Sequence, residues 1–541
     1  MARWFVDRLP QRGIPSVSLR KLLPEARFVG CADWEVSGCS NDHRRLEPGQ
    51  VFVAVRGARP GYDGHSFVLE ALDRGAAGVV VEYPCPGAGR LQVIVPDAMA
   101  AHARICQALA GDPSQQLVTV GVTGSFGRTI TALMIRSIFE AAGQRTGLLG
   151  ALGFTNGTTA RALGAGLDPR ITTGGPSLGG GRSAACGWSR AFIPGAAGLA
   201  ALMSEMVEGG CKAGVLEVSA EAMAHRSFEG TAFHAAVITD VGAPRGYPGD
   251  VVLQRRRAKA KLVRQVVPEG LVVVNADDPN AEILGGVNLD ARRVAFAMEP
   301  MARPARDVDV SARRIQLDSA GTRMVLQGFD REAPLQLPLV GPRAAACALA
   351  AAALARAMEV DRAAVIDGLE SVRSVAGHLE AVVEGQDFDV RVDVSASPAA
   401  LEEALAAVRA VGAGQVHCVL SAEGCGDRAE RRRLAEAAEA GADRVVLTVS
   451  NPRTEDPNQI LDDVLAGFRR PGKVRVEPDR RRAIEAALAD ARTGDAVLIA
   501  GKGRHAFQIL ADRVIPFDDA QVAREWLRHQ AHSAASVPRS A

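Results

Sequence analysis

Gly124-Ser125-Phe126-Gly127-Arg128-Thr129 is the segment whose residue types best suit chemistry on a polyphosphate. A short apolar run, Leu117 to Val122, leads into it, and a helical pattern with Leu133, Ile135, Ile138 and Phe139 roughly on one face leads out. Strand, glycine turn and helix together aim backbone N–H groups and the positive end of a helix at an anion. Glycines suit such a turn because the backbone must approach the ligand closely, at times with positive φ. Thr129 stands where a phosphate-binding loop places its magnesium-holding hydroxyl, and Arg128 where such loops carry lysine. Val122 occupies the place of the first glycine of that pattern. Alone, the segment reads equally as a nucleotide site or as a strand-to-helix turn without ligand.

The elements around it favour a ligand. Apolar runs end in polar residues at Val215-Leu216-Glu217-Val218-Ser219, Ala236-Val237-Ile238-Thr239-Asp240 and Leu271-Val272-Val273-Val274-Asn275. Near-continuous apolar strands are those buried on both faces, as in a parallel sheet. Ligands of such sheets collect at the strands' carboxyl ends, where Glu217, Asp240 and Asn275 fall. An Ala-rich helix from Arg343 to Met358 closes this unit. Before it, residues 1–114 alternate strands (Val51 to Val55, Gly78 to Glu82, Gln92 to Val95) with helical stretches (Ser66 to Arg74, Ala98 to Leu109) and end in the turn-rich Gly111-Asp112-Pro113-Ser114. After it, residues 375–529 repeat the α/β theme, with strands ending at Asp393, Leu420, Thr448 and Ala500. The expected organisation is three α/β domains, 1–114, 115–374 and 375–529, with a disordered tail at 530–541. Residues 161–196, rich in Gly, Ser and Ala with little periodicity, read as an insertion, lid or disordered loop in the second.

A chain of 541 residues is too long for one core and fits about three domains. With 47% hydrophobic and 23% charged residues and a net charge of +1, it has no electrostatic footprint for nucleic acid. Nine cysteines without C-x-x-C pairs suit reduced thiols in a cytoplasm. No signal-peptide h-region and no membrane-spanning apolar run occur.

The motifs, taken in order, resemble the Mur ligase family, most of all its MurE branch, from about residue 35 to 525. Glu47 to Gly57 followed by Asp63-Gly64-His65 is similar to the family's UDP-binding domain, and Asp42-His43-Arg44 stands for Asp-Ser-Arg. Gly121 to Thr129 resembles G-x-T-G-T-N-G-K-T, with Phe126 for Asn and Arg128 for Lys. Leu216 to Ala222 resembles E-V-S-S-H-A, with Glu221 for His. Ile238-Thr239-Asp240 stands for F-T-N, and Pro244 to Gly249 for D-H-L-D-Y-H-G. Lys259 falls on the lysine that the family carbamylates, and Asn275 to Pro279 is closely similar. In the last unit Gly377-His378-Leu379-Glu380 stands for G-R-M-E, Val392 to Pro398 for V-D-Y-A-H-T-P, Ser450-Asn451-Pro452-Arg453 for D-N-P-R, and Gly501 to His505 for G-K-G-H-E.

The resemblance implies a three-domain Mur ligase architecture with a central P-loop-type parallel sheet and a C-terminal Rossmann-like domain. It implies an ATP-dependent ligase that phosphorylates a carboxylate and lets an amine displace the phosphate, in peptidoglycan precursor synthesis. Arg128 and Lys259 become the catalytic candidates. ATP falls to Gly124, Ser125, Gly127, Arg128, Thr129, His378 and Asp393. Mg²⁺ falls to Thr129, Glu217 and, if carbamylated, Lys259. The UDP-sugar falls to Asp42, Arg44, Asp63, Gly64 and His65. The amino acid falls to Asn451, Pro452, Arg453, Gly501 and His505, with Arg453 pointing to meso-diaminopimelate added to UDP-N-acetylmuramoyl-L-alanyl-D-glutamate. A cytoplasmic monomer without nucleic-acid partners is expected. The exchanges in the glycine turn, with Arg128 for Lys, in the second metal site, which loses its histidine, and in the amine site, with Ser450 for Asp and His505 for Glu, set a rival reading beside this one: a silent paralogue that binds a UDP-sugar or a protein without turnover.

Overall fold

The computed structural model describes residues 16–56, 63–89, 91–161, 195–242, 249–284, 286–287, 290–298, 308–412 and 414–535. Three sheets organise the chain. The first has five strands in the order Arg27–Val29, Gln92–Ile94, Gly78–Val81, Val51–Val53 and Cys39–Ser40, parallel except for the first pair. Helix Ala98–Leu109 packs on it through Ala98, Ala101 and Ile105.

The second sheet has eleven strands. Val118–Thr123 lies at its heart between Ala213–Glu217 and Phe233–Ile238, both parallel to it. The strand accepts neighbours on both edges and layers on both faces because all six of its residues are buried. Gly121 is obligatory there, since a Cβ would lie 2.8 Å from the Phe233 ring. Helix Arg128–Ala141 covers one face with Met134, Ile135, Ile138 and Phe139 and packs on helix Pro342–Ala357. The latter is the expected Ala-rich helix, opened by a proline at its first turn and buried almost all round. Its small side chains let it sink against strands and helix together.

One part of the second unit departs from βα alternation. Val310–Asp318, Gly321–Gln327 and Ala333–Leu337 form an antiparallel meander that extends the sheet. Its two-residue alternation of buried and exposed positions, clearest in Ala333–Leu337, reflects one covered face and one wet one.

The third sheet has six strands in the order Glu380–Ala381, Asp389–Asp393, Ala496–Ala500, Val416–Ala422, Arg444–Val449 and Arg475–Val476, parallel beyond the first pair. Helix Asp519–Ala535 continues into the segment expected to be a disordered tail from 530. Most of the expected 161–196 insertion lies outside the described residues. Among the described residues no helix is long and apolar enough to cross a membrane.

Candidate active site

The turn after Thr123, Glu217 and the pair Thr239–Asp240 meet at one carboxyl edge because their strands are neighbours in the central sheet. Two glycines are required by contact as well as by conformation. Gly124 has φ 156°, and a Cβ there would lie 1.8 Å from Thr239 Oγ1; Gly127 has φ 76°, and its Cβ would lie 2.7 Å from Cys347 Sγ. Gly127 also caps helix Arg128–Ala141.

The turn's backbone N–H groups hold an anion supplied by the chain itself. Asp240 Oδ2 accepts from Ser125 N at 2.7 Å and from Phe126 N at 3.0 Å. Its other oxygen accepts from Lys259 Nζ at 2.9 Å, and the same ammonium donates to Ser125 Oγ at 3.1 Å and Gly242 O at 2.9 Å. Lys259 is 2% exposed; burial pulls its pKa down and Asp240 opposes the shift. A carboxylate oxygen on two converging N–H groups stands in for a phosphate oxygen, so the turn has the donor geometry that a polyphosphate needs. Unmodified, the Lys259 amine has three acceptors, Asp240 Oδ1, Ser125 Oγ and Gly242 O. A carbamate at its end would set negative charge against Asp240. The cause is local: an acid occupies the place of the family's asparagine.

Beside this nest Thr129 Oγ1 donates to Glu217 Oε2 at 3.0 Å, and Ala151 N donates to Glu217 Oε1 at 2.9 Å. Burial raises the Glu217 pKa, with Arg128 foremost among the groups that hold it down. A hydroxyl and a carboxylate this close form an oxygen pair of the kind hard cations take, so these two residues fit Mg²⁺. Arg128 turns back on its own loop, Nη1 donating to Gly124 O at 3.0 Å. Arg504, from the third sheet's side, acts electrostatically on both Glu217 and His378. Arg343 lies over the Phe126 ring at 4.6 Å and pairs with Glu403, its Nε donating at 2.8 Å. Cations from two units therefore face the glycine turn.

His378 and Asp393 line a crevice with Ile130, Gly341, Arg343 and Leu379. Its volume is about 30 Å³, so a purine enters only if the walls part. Asp393 is occupied by local backbone, accepting from Leu379 N and Ser395 N at 2.8 Å each. Burial, then Arg343 and Arg504, push the His378 pKa from 6.5 to about 4. A folded-state pKa below the unfolded one means that the unfolded chain takes the proton first. Stability from this residue is therefore full above pH 6.5 and falls as pH drops towards about 4. Urea midpoints at pH 7 and pH 5 should differ less in His378→Gln than in wild type. Equal pH dependence in both would show that His378 is ordinarily protonated.

The residues expected to meet the UDP-sugar are engaged in building their own corner. Asp42 accepts from Arg44 N at 3.1 Å and from its guanidinium at 3.0 Å. Asp63 accepts from His65 Nδ1 at 2.6 Å and from the Tyr83 hydroxyl at 2.8 Å, and His65 Nε2 accepts from Glu82 N at 2.9 Å. These partners fix the neutral Nδ1–H tautomer of His65, whose ring stacks on Tyr83 at 4.0 Å. Gly64 passes so close to the neighbouring strand that a Cβ would lie 2.6 Å from Val55 O. His65 is thus a positioning residue of the corner.

At the amino-acid end, Arg453 sits in the left-handed region at φ 57°. Its N–H donates to Ile509 O at 3.1 Å, and Asn451 Oδ1 accepts from Ile509 N at 3.0 Å. Arg453 Nη2 lies 3.5 Å from Glu423 Oε2, and Asn451 Nδ2 donates to Glu423 Oε1 at 2.9 Å. The O of Pro452 approaches Gly424 so closely that a Cβ on Gly424 would lie 1.8 Å from it. An open cleft of about 240 Å³ runs over Glu423, Gly424, Cys425, Asp427, Arg431 and Arg453. Gly501 donates to Asp393 O at 3.0 Å, tying this end to the nucleotide crevice. His505 meets Phe507 edge-on at 5.8 Å, and buried Lys502, its pKa lowered to about 8 by burial, donates to the Phe507 carbonyl.

Sequence reasoning singled out the glycine turn, Glu217 and Arg453 and set Asp240 at the ligand-collecting strand ends, but it gave no role to Arg343, Arg504 or Glu423. The signal for Asp240 was present, an acid closing an apolar strand beside the glycine turn. Nothing local marks Arg343 or Arg504, which gain meaning only when two units face each other.

The family profile of the Mur ligase middle domain matches residues 122–355, and that of the Mur ligase glutamate ligase domain matches residues 377–503. The chain belongs to the Mur ligase family. Within it, the UDP-N-acetylmuramoyl-L-alanyl-D-glutamate--2,6-diaminopimelate ligase of Gloeobacter violaceus is 34% identical over 523 residues, 95% of this chain and 99% of that protein. The UDP-N-acetylmuramyl-tripeptide synthetase of a Roseiflexus species is 34% identical over 514 residues, 91% and 94% of the two chains. A solved UDP-N-acetylmuramoyl-L-alanyl-D-glutamate--2,6-diaminopimelate ligase shares the fold at a TM-score of 0.65 and 23% identity, over 96% of this chain and 100% of that one. MurF of Thermotoga maritima in complex with ADP does so at 0.57 and 17%, over 92% and 98%.

Proposed function

We propose that this chain is an ATP-dependent ligase that joins meso-diaminopimelate to the D-glutamate carboxylate of UDP-N-acetylmuramoyl-L-alanyl-D-glutamate. The observation that carries this reading is the glycine nest, holding an anionic oxygen on two N–H groups beside the Thr129–Glu217 oxygen pair. ATP is the substrate for that nest, its phosphate oxygens displacing the Asp240 carboxylate. Mg²⁺ on Thr129 and Glu217 supplies neutralisation of the charge that moves during phosphoryl transfer. Arg128 and Arg504 add positive charge at the same edge, where preorganised cations lower the barrier without reorganising. The carboxylate oxygen bonds to phosphorus and ADP leaves; the amine nitrogen then bonds to the acyl carbon, phosphate leaves, and the proton lost from the amine goes to the departing phosphate or to solvent.

Arg453 supports diaminopimelate, since a guanidinium holds a second carboxylate that lysine lacks. The reading places the protein in the cytoplasm. Phosphate release requiring both UDP-N-acetylmuramoyl-L-alanyl-D-glutamate and meso-diaminopimelate is the test. L-lysine is expected to be the poorer substrate. Arg453→Ala should raise KM for diaminopimelate about tenfold, the low end for a charged hydrogen bond because Glu423 competes for the guanidinium. Release unaffected by Arg453→Ala would overturn the specificity. No release above background, with UDP-sugar binding intact, would favour a non-catalytic family member.

A further inference from the structure

Away from the ligation site, strand Cys39–Ser40 of the first sheet brings one thiol against helix Ala98–Leu109, which carries His102 and Cys106 one turn apart on the same face. Cys39 Sγ lies 3.7 Å from Cys106 Sγ, and Cys106 Sγ lies 3.5 Å from His102 Nε2. All three ligand atoms fall within 4.8 Å of one another. His102 and Cys106 are buried, at 4% and 6% exposure, while Cys39 keeps part of its surface open.

These distances can be set against two chemistries. A disulfide needs its sulfurs about 2.05 Å apart, well short of the observed 3.7 Å. A tetrahedral zinc ion, with bonds of about 2.3 Å to sulfur and about 2.0–2.1 Å to nitrogen, puts two thiolates about 3.8 Å apart and a thiolate and an imidazole about 3.6 Å apart. The observed 3.7 and 3.5 Å, also the lengths of thiol hydrogen bonds, match two of the three donor–donor edges, and the third, Cys39 Sγ to His102, is within 4.8 Å.

We propose that Cys39, His102 and Cys106 form a binding site for one thiophilic divalent cation of the zinc class. Two thiolates and an imidazole are the donors such an ion selects over oxygen-preferring Mg²⁺. On binding, the two S–H bonds break, two sulfur–metal bonds form, and the protons leave to solvent. The fourth position is left to water or another exogenous donor, which reaches it from the open side of Cys39. The site's place gives it a role. Cys39 lies three residues before Asp42 in the corner expected to hold the UDP-sugar. Cys106 and Ala103 of the ligand helix pack against Ala196 and Ala200 of helix Ala196–Glu208, in the layer that flanks the central sheet. The ion would clamp that corner to the helix joining the first two units.

The full-length protein, purified without chelator under reducing conditions, is assayed for metal by mass spectrometry and titrated anaerobically with Co²⁺. The expected result is one metal ion per chain, and a cobalt spectrum with thiolate charge-transfer bands and intense tetrahedral d–d bands. Loss of even an outer-shell partner weakens metal sites about 10–100-fold, so Cys39→Ser and Cys106→Ser should each lose at least that much affinity. The metal-loaded wild type should also melt at higher temperature than the metal-free protein, while the two variants should not respond. Cobalt without thiolate bands, a metal content unchanged in both variants, or a Cys39–Cys106 disulfide in place of metal would each overturn the proposal. The wild-type spectrum decides the matter even if a variant fails to fold.

Discussion

Asp240→Asn should tighten Mg²⁺·ATP binding by about 10–100-fold, the range of a charged hydrogen bond at 1.5–3 kcal/mol. In wild type the nucleotide's phosphate must evict a carboxylate that two backbone N–H groups and an ammonium hold together. An asparagine oxygen can still sit on one N–H but brings no charge, so the nest becomes available at lower cost. The substitution also leaves Lys259 buried without its counterion, which should lower the melting temperature, because an unpaired buried charge is expensive. The phosphate then supplies the missing negative charge, and nucleotide should raise the melting temperature more in the variant than in wild type. Isothermal titration with a non-hydrolysable ATP analogue reads the affinity directly. Unchanged or weaker binding would show that Asp240 leaves the nest without cost, or that the nest is not where the phosphate goes.

Glu217→Gln should lower kcat by about 10²–10³-fold, the usual loss when one preorganised electrostatic contact to a transition state is removed. Glutamine preserves the volume but removes the charge that, with Thr129, makes the oxygen pair. Its one amide oxygen can keep Ala151 N, and the amide nitrogen then faces Thr129 Oγ1, whose hydroxyl must turn to accept. Burial already disfavours the ionised carboxylate, so the neutral variant should fold without large loss of stability. The measurement is steady-state phosphate release at saturating substrates over a range of Mg²⁺ concentrations, with UDP-sugar affinity as the control. A full kcat in the variant would remove Glu217 from the reaction. A loss confined to UDP-sugar affinity would do the same, since that corner lies in another sheet.

The amino-acid sequence by itself determined the parts of this protein whose cause is local. Continuous apolar runs such as Val118–Thr123 and Phe233–Ile238 can be satisfied only by burial on both faces, so the central parallel sheet and its carboxyl edge were legible. The glycine turn was legible because close approach and positive φ admit no other residue at Gly124 and Gly127. The order of motifs across nearly the whole chain pointed to the Mur ligase family, to which the chain belongs. Tertiary structure alone decided what those residues face. Lys259 reads from sequence as a candidate metal-side residue, and only the fold sets Asp240, nineteen positions away, 2.9 Å from its amine. Asp63 and His65 read as ligand contacts, and only the fold brings them to Tyr83, Glu82 and each other. Arg343 and Arg504 carry no local signature, because a cation gains a role only from the site it is brought to. Cys39 and Cys106 show the same limit: sixty-seven residues separate two thiols that the first sheet and its helix place 3.7 Å apart. Secondary structure follows from short-range periodicity and sterics, whereas charge pairing and ligand sets depend on which strand edges and helix faces become neighbours.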